Sequence, residues 1–103
     1  MNKYNNSKIY AIKSNQTDKI YIGSTCLDIY ERLRKHRQDY RYYLLGNKKK
    51  TTSIEILKFE DHFIILLENV NCKNKNELLI KESQYINENI NHCVNRIINY
   101  NRV

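Results

Sequence analysis

The sequence predicts a single α+β domain, and three features carry that prediction. The chain has 103 residues, the ordinary size of one domain. Strand-like and helix-like periodicities alternate along it. No internal repeat or linker divides residues 1–103. Hydrophobic residues make up 41%, enough to expect a packed core.

The elements are read in chain order. Lys8-Ile-Tyr-Ala-Ile-Lys13 and Lys19-Ile-Tyr-Ile22 are short β-rich runs separated by polar Ser14-Asn-Gln-Thr-Asp18, so an antiparallel hairpin is expected. Gly23 is expected to end the second strand with a sharp exit. Thr25-x-x-Asp28 offers a loose capping box for a helix starting near Leu27. On that helix Ile29, Leu33, Tyr40 and Leu44 form one apolar stripe. Gly46 and Lys48-Lys49-Lys50 follow as a basic loop, and Thr52 or Ser53 can cap a short helix carrying Ile54, Ile56 and Leu57. Glu60-Asp61 marks a turn. His62-Phe-Ile-Ile-Leu-Leu67 is a continuous apolar run, expected to be a central strand covered on both faces. Asn69 to Asn76 is a polar connector, and helical spacing resumes at Glu77 with Leu78, Leu79, Ile86 and Ile90. The tail from Cys93 to Ile98 is ambiguous.

Composition narrows the partners. The chain carries 18 Lys+Arg against 11 Asp+Glu, a formal charge of +7, which favours an anionic partner. Residues 1–50 hold 12 basic and 4 acidic residues, so all the excess lies in the first half. It is concentrated in Arg32-Leu-Arg-Lys-His-Arg37, Arg41 and the lysine run. Tyrosines 30, 40, 42 and 43 interleave it, a pattern suited to nucleic acid, although a solvated helix face would look similar. No apolar run is long enough to span a membrane, and the N-terminus lacks a signal-peptide stretch. A soluble, intracellular protein is expected. Cys26, Cys72 and Cys93 lack C-x-x-C spacing, so they read as small buried hydrophobes and not as a disulfide framework or zinc site.

Three constellations could carry chemistry. Glu82 shares a helix face with Leu78 and Ile86, placing a carboxylate inside an apolar stripe. Burying an unpaired carboxylate is costly, so Glu82 should meet a metal ion or a structural cation, or else reach solvent at the edge of the stripe. Arg32 and His36 are i, i+4 and emerge together; at a phosphate they could neutralise charge and relay a proton, or they could belong to a solvated face. Tyr10 and Tyr21 lie on the two hairpin strands, where core filling is the simple reading. A phenol with a pKa of about 10 would act as a base only beside cations.

Taken in order, Lys8-Ile9-Tyr10, Tyr21-Ile22-Gly23, Arg32-x-x-x-His36, Glu82 before Tyr85-Ile86, and Cys93-Val-Asn95 resemble the GIY-YIG nuclease superfamily over roughly residues 7–97. The connector from Asn71 to Leu79 resembles that of compact, single-domain viral members. The resemblance implies a three-stranded antiparallel sheet with flanking helices and metal-dependent hydrolysis of DNA phosphodiesters using one divalent cation, Mg²⁺ or Mn²⁺. It also implies that Tyr10 is the general base or orients the attacking water, and that Tyr21 lies beside it. By the same resemblance Arg32 stabilises the phosphorane charge, His36 assists proton transfer, Glu82 binds the metal and Asn95 holds the geometry.

Lys19, just before the second tyrosine, could lower the pKa of Tyr10. With Arg34, Lys35, Arg37, Arg41, Lys48, Lys49 and Lys50 it completes the candidate nucleic-acid contacts. The family's first glycine is replaced by Lys8, which is expected to alter strand entry and to leave the chemistry intact. Sequence specificity, if any, is expected from the basic helix and loop or from a partner subunit. A nucleic-acid-binding module with catalysis lost, or an RNA-directed interaction protein, are the competing readings.

Overall fold

Which strand lies at the centre of the sheet is decided by burial on both faces. In the computed structural model, which describes residues 2–95, that strand is β1 (Ser7–Ser14). Its alternating residues Ile9 and Ala11 pack to one side and Tyr10 and Ile12 to the other, and none is more than 1% exposed. Strands β2 (Thr17–Thr25) and β3 (Phe63–Val70) flank it, both antiparallel, in the order β2-β1-β3. The architecture is α+β, with a three-stranded antiparallel sheet between helices. The apolar run expected at the centre is therefore an edge strand. Its Phe63 and Leu66 are exposed, and a run of apolar residues does not itself say on which side of a strand a neighbour will pair.

The hairpin is tighter than its polar stretch suggested. Only Asn15 and Gln16 connect β1 to β2, and the pairing slips between Ile12 and Ser14. The Asp61 carboxylate holds the turn from outside, accepting hydrogen bonds from the Ser14 hydroxyl, the Asn15 amide and the Gln16 side chain. Those donors keep the Asp61 carboxyl below its usual pKa.

Helix α1 (Ile29–Leu44) crosses one face of the sheet. Asp28, not Thr25, caps it, its Oδ2 accepting from the amides of Tyr30 and Glu31. Thr25 still belongs to β2, where its hydroxyl oxygen accepts from the Leu27 amide. Ile29 and Leu33 are buried as expected, but Leu44 is 63% exposed. The inner face is completed instead by His36, which is 5% exposed. Short helix α2 (Ile54–Leu57) closes the same core with Ile56 and Leu57.

Helix α3 (Lys75–Glu88) covers the opposite face through Leu78 and Ile86, which pack with Ile9, Ala11, Ile22 and Cys72. It begins two residues before Glu77, because Asn74 caps it by accepting from the Glu77 amide, while Glu77 accepts from the Lys73 amide. Such reciprocal bonding satisfies donors that the first turn leaves free. Ile90 lies beyond its end and is exposed.

Beyond α3 the chain returns to the outer edge of β2. Ile20 donates to the His92 carbonyl and accepts from the Val94 amide, forming a parallel bridge to Cys93. Asn95 continues this cover, so the free edge of β2 is paired over Ile20 and Ile22. Residues 96–98 of the ambiguous tail lie outside the described residues.

Candidate active site

The hairpin register aligns the two phenols. Tyr10 pairs with Gly23 and Ile12 with Tyr21, so Tyr10 and Tyr21 are diagonal neighbours on one face of the sheet. Their ring centroids are 6.5 Å apart. His36, reaching in from α1, lies edge-on to both, at 5.9 Å from Tyr10 and 5.4 Å from Tyr21. Its Nε2 is 2.7 Å from the Tyr10 hydroxyl.

Gly23 explains how so large a ring fits there. It is not the end of β2, which continues to Thr25. A Cβ at Gly23 would collide with the hydroxyl and ring of Tyr10. The bare backbone is therefore the floor on which the phenol lies, and the motif needs glycine for close approach and not for a turn.

Tyr10, Tyr21, Ser24, Arg32 and Glu82 line one cleft of about 480 Å³, with Lys3, Tyr4 and Lys75 also on its walls. Arg32 projects from α1 one turn before His36, and Glu82 comes from α3 on the other side of the sheet. Ser24, one residue past Gly23, faces α3 and donates to Glu82 Oε1 at 2.7 Å. Glu82 makes no ion pair among the described residues, so the structural-cation reading finds no partner there. Sequence reasoning did not single out Ser24 for the site. Strand parity offered the missing signal, because it places Ser24 with Ile22 on the face that carries α3.

Burial sets the electrostatics. It pushes both phenols above their ordinary pKa, with Tyr21 and Glu82 adding to the effect and the Arg32 guanidinium opposing it. Burial likewise raises the Glu82 carboxyl, against the Ser24 hydrogen bonds and Arg32. Arg32 is the cation acting on Tyr10. Lys19, the other candidate for that role, is exposed and donates its ammonium to the Asn91 carbonyl.

His36 falls from its ordinary value of 6.5 to about 4, through burial first and Arg32 second, with Asp39 opposing. It is neutral at pH 7. Between pH 6.5 and 4 the unfolded chain binds a proton that the folded chain resists, so stability present above 6.5 is lost as pH falls toward 4. The loss should be about 3 kcal/mol, partly offset by Glu82, whose raised pKa acts in the opposite sense. Urea unfolding from pH 4 to 7 should show a shallower pH dependence for His36→Gln than for the parent. Equal slopes would contradict the buried neutral imidazole.

Asn95 is fully committed to backbone. Its Oδ1 accepts from the Ile22 amide at 2.8 Å and its Nδ2 donates to the Ile22 carbonyl at 2.6 Å. It therefore splints β2 between Tyr21 and Gly23 from the sheet edge.

The basic candidates lie outside the cleft and are exposed, Lys19 on β2 and the others on α1 and the loop after it. Arg34 pairs with Glu31, Lys48 with Asp39 and Lys50 with Glu55. Arg37 donates to His62 Nε2 at 2.9 Å. Lys35, Arg41 and Lys49 make no ion pair among the described residues. Exposed pairs of this kind contribute little to stability, leaving their cations available to exchange partners.

A sheet presenting two phenols, a guanidinium and a carboxylate to one cleft has the ingredients of a phosphodiester-cleaving enzyme. A family model described as the GIY-YIG catalytic domain matches residues 6–95. The chain belongs to this family and is a nuclease. Its fold is similar to that of a mutant of the catalytic domain of the intron endonuclease I-TevI, with a TM-score of 0.59 and 22% identity, covering 84% of this chain and 89% of that one. No curated protein matches. Among the described residues, no helix is long and apolar enough to cross a membrane.

Proposed function

We propose that the protein is a DNA endonuclease hydrolysing phosphodiester bonds with one divalent cation, Mg²⁺ or Mn²⁺, held at Glu82. The convergence of Tyr10, Tyr21, Arg32 and Glu82 on one cleft, with His36 hydrogen-bonded behind Tyr10, carries the reading. The residues fit such an ion. Glu82 is a half-buried carboxylate that desolvation holds above its ordinary pKa, a cost that a cation would relieve. No group of three or more His, Cys, Asp or Glu side chains gathers among the described residues, which suits a hard ion that keeps most of its waters and needs one or two carboxylates. When bound, the cation supplies Lewis-acid polarisation of the phosphoryl and leaving oxygens.

The chain's own residues do the rest. Ser24 fixes one oxygen of Glu82 and leaves the other free to bind. Arg32 sets positive charge beside the phosphate before charge develops there, so no reorganisation is needed during reaction. A standing phenolate at Tyr10 is disfavoured by its raised pKa. Tyr10 instead orients the attacking water, its hydroxyl held in place by the hydrogen bond to His36 Nε2 at 2.7 Å. Tyr21 contacts the water or the phosphate, and Asn95 keeps the β2 backbone beneath them in place. The exposed cations Lys19, Arg34, Lys35, Arg37, Arg41, Lys48, Lys49 and Lys50 contact the DNA backbone. An intracellular site of action is in keeping with the free thiols of Cys26, Cys72 and Cys93.

Relaxation of supercoiled plasmid tests the reading. Nicked or linear products are expected with Mg²⁺ or Mn²⁺ and none in EDTA. Cleavage that continues in EDTA would remove the metal from the mechanism. Salt-sensitive DNA binding with no cleavage under either ion would instead indicate a binding module that has lost catalysis.

A further inference from the structure

The cleft has a wall that neither the family motif nor the basic helix supplies. Residues Lys3–Asn6 form a single 3-10 turn, and Lys3 and Tyr4 lie before the first residue that the family model matches. Both line the cleft, and so does Lys75 at the start of α3. The turn is clamped in place. Asn2 donates through Nδ2 to the carbonyls of Cys72 and Lys73, at 3.0 and 2.8 Å. The Tyr4 carbonyl accepts from the Cys72 amide and from the Ser7 hydroxyl. The Lys3 ammonium sits 5.3 Å from the centroid of the Tyr4 ring, which holds a cation while leaving it able to donate hydrogen bonds.

Lys75 and Glu82 are separated by two helical turns, about 10 Å along the axis, and so emerge on the same side of α3. Neither Lys3 nor Lys75 forms an ion pair among the described residues. Charge, exposure and position therefore agree.

We infer that Lys3 and Lys75 form a second phosphate-holding arm, which binds the DNA strand beyond the scissile phosphate on the side away from the outer face of α1. The strand then runs from the α1 cations past Arg32 and Glu82 to this arm. Tyr4 and Asn2 position it. The inference rests on the nuclease reading for the strand's path, but its test does not require turnover.

The experiment measures binding of a short DNA duplex in EDTA across a range of salt concentrations, comparing the parent with the double variant Lys3→Gln, Lys75→Gln. Each lost phosphate contact should reduce the slope of log affinity against log salt by about 0.9, so the pair should reduce it by about 1.8. Asn2→Ala, which unclamps the turn without removing charge, should reproduce part of the Lys3 share. In the metal-supported reaction the double variant should raise KM at nearly unchanged kcat, the mark of lost uniform binding. An unchanged slope in the double variant, with a parent-like melting temperature, would overturn the inference. Absence of cleavage by the parent would overturn the nuclease reading separately, since the slope is read without metal.

Discussion

Replacing Glu82 by leucine is expected to abolish DNA cleavage while making the protein more stable. The carboxylate lies among Leu78, Leu79 and Ile86 on α3, and desolvation holds it above its ordinary pKa. Its hydrogen-bond partner among the described residues is Ser24. A leucine there would extend the apolar stripe and remove the cost of desolvating a charge, so urea unfolding should show a gain of about 1 kcal/mol. The activity loss follows from the other side of the same fact. On the proposed reading, several kcal/mol of transition-state charge stabilisation would depend on an ion at this carboxylate, which makes a fall of more than about 10³-fold in plasmid cleavage the expected result. Glu82→Gln keeps the shape and a group able to accept from Ser24, yet should be nearly as inactive. A stable, active leucine variant would remove Glu82 from the chemistry. A leucine variant destabilised by several kcal/mol would mean that the acid is a structural partner.

Glu82 was legible because it broke a pattern. A carboxylate at i+4 from one leucine and i−4 from an isoleucine contradicts helical amphipathicity, and local contradictions of this kind are expected at functional or strained positions. The strands and helices were legible from spacing for the same reason that they fold: each has one apolar face. What spacing left open was order and depth. The apolar run of β3 looked central because it is continuous, whereas β1, of equal length, is the strand paired on both edges. His36 looked like part of a basic surface, because its neighbours Lys35 and Arg37 are exposed. Only the crossing of α1 over Tyr10 shows that His36 lies on the inward side. Lys3 and Lys75 carried no signal at all, since they are far apart in the chain and come to line one cleft through the clamp between Asn2 and the Cys72–Lys73 backbone. Long-range polar contacts of this kind have no periodicity to read.

Gly23→Ala is expected to cost both stability and activity, through one methyl group. The new Cβ would overlap the hydroxyl and ring of Tyr10. The end of a flexible side chain could step aside, but this ring has nowhere to go. Tyr10 is 0% exposed, packed against Tyr21, and bonded to His36. Either the ring tilts, breaking its bond to His36, or the β1–β2 pairing opens around Asn95. Overpacking of this sort costs about 1–3 kcal/mol, which should appear as a lower melting temperature with the fold retained. If Tyr10 has its proposed role, the rate should fall further than the stability implies, by at least about 10²-fold, because a misplacement near 1 Å at a reacting group has that effect. A Tyr10→Leu background separates the two consequences. Leucine lacks both the hydroxyl and the ring carbon that the new methyl would meet, so adding Gly23→Ala should cost less stability there than in the parent, while activity stays absent. If Gly23→Ala costs as much in the Tyr10→Leu background as in the parent, the collision is not with the phenol, and the glycine is required for some other feature of β2.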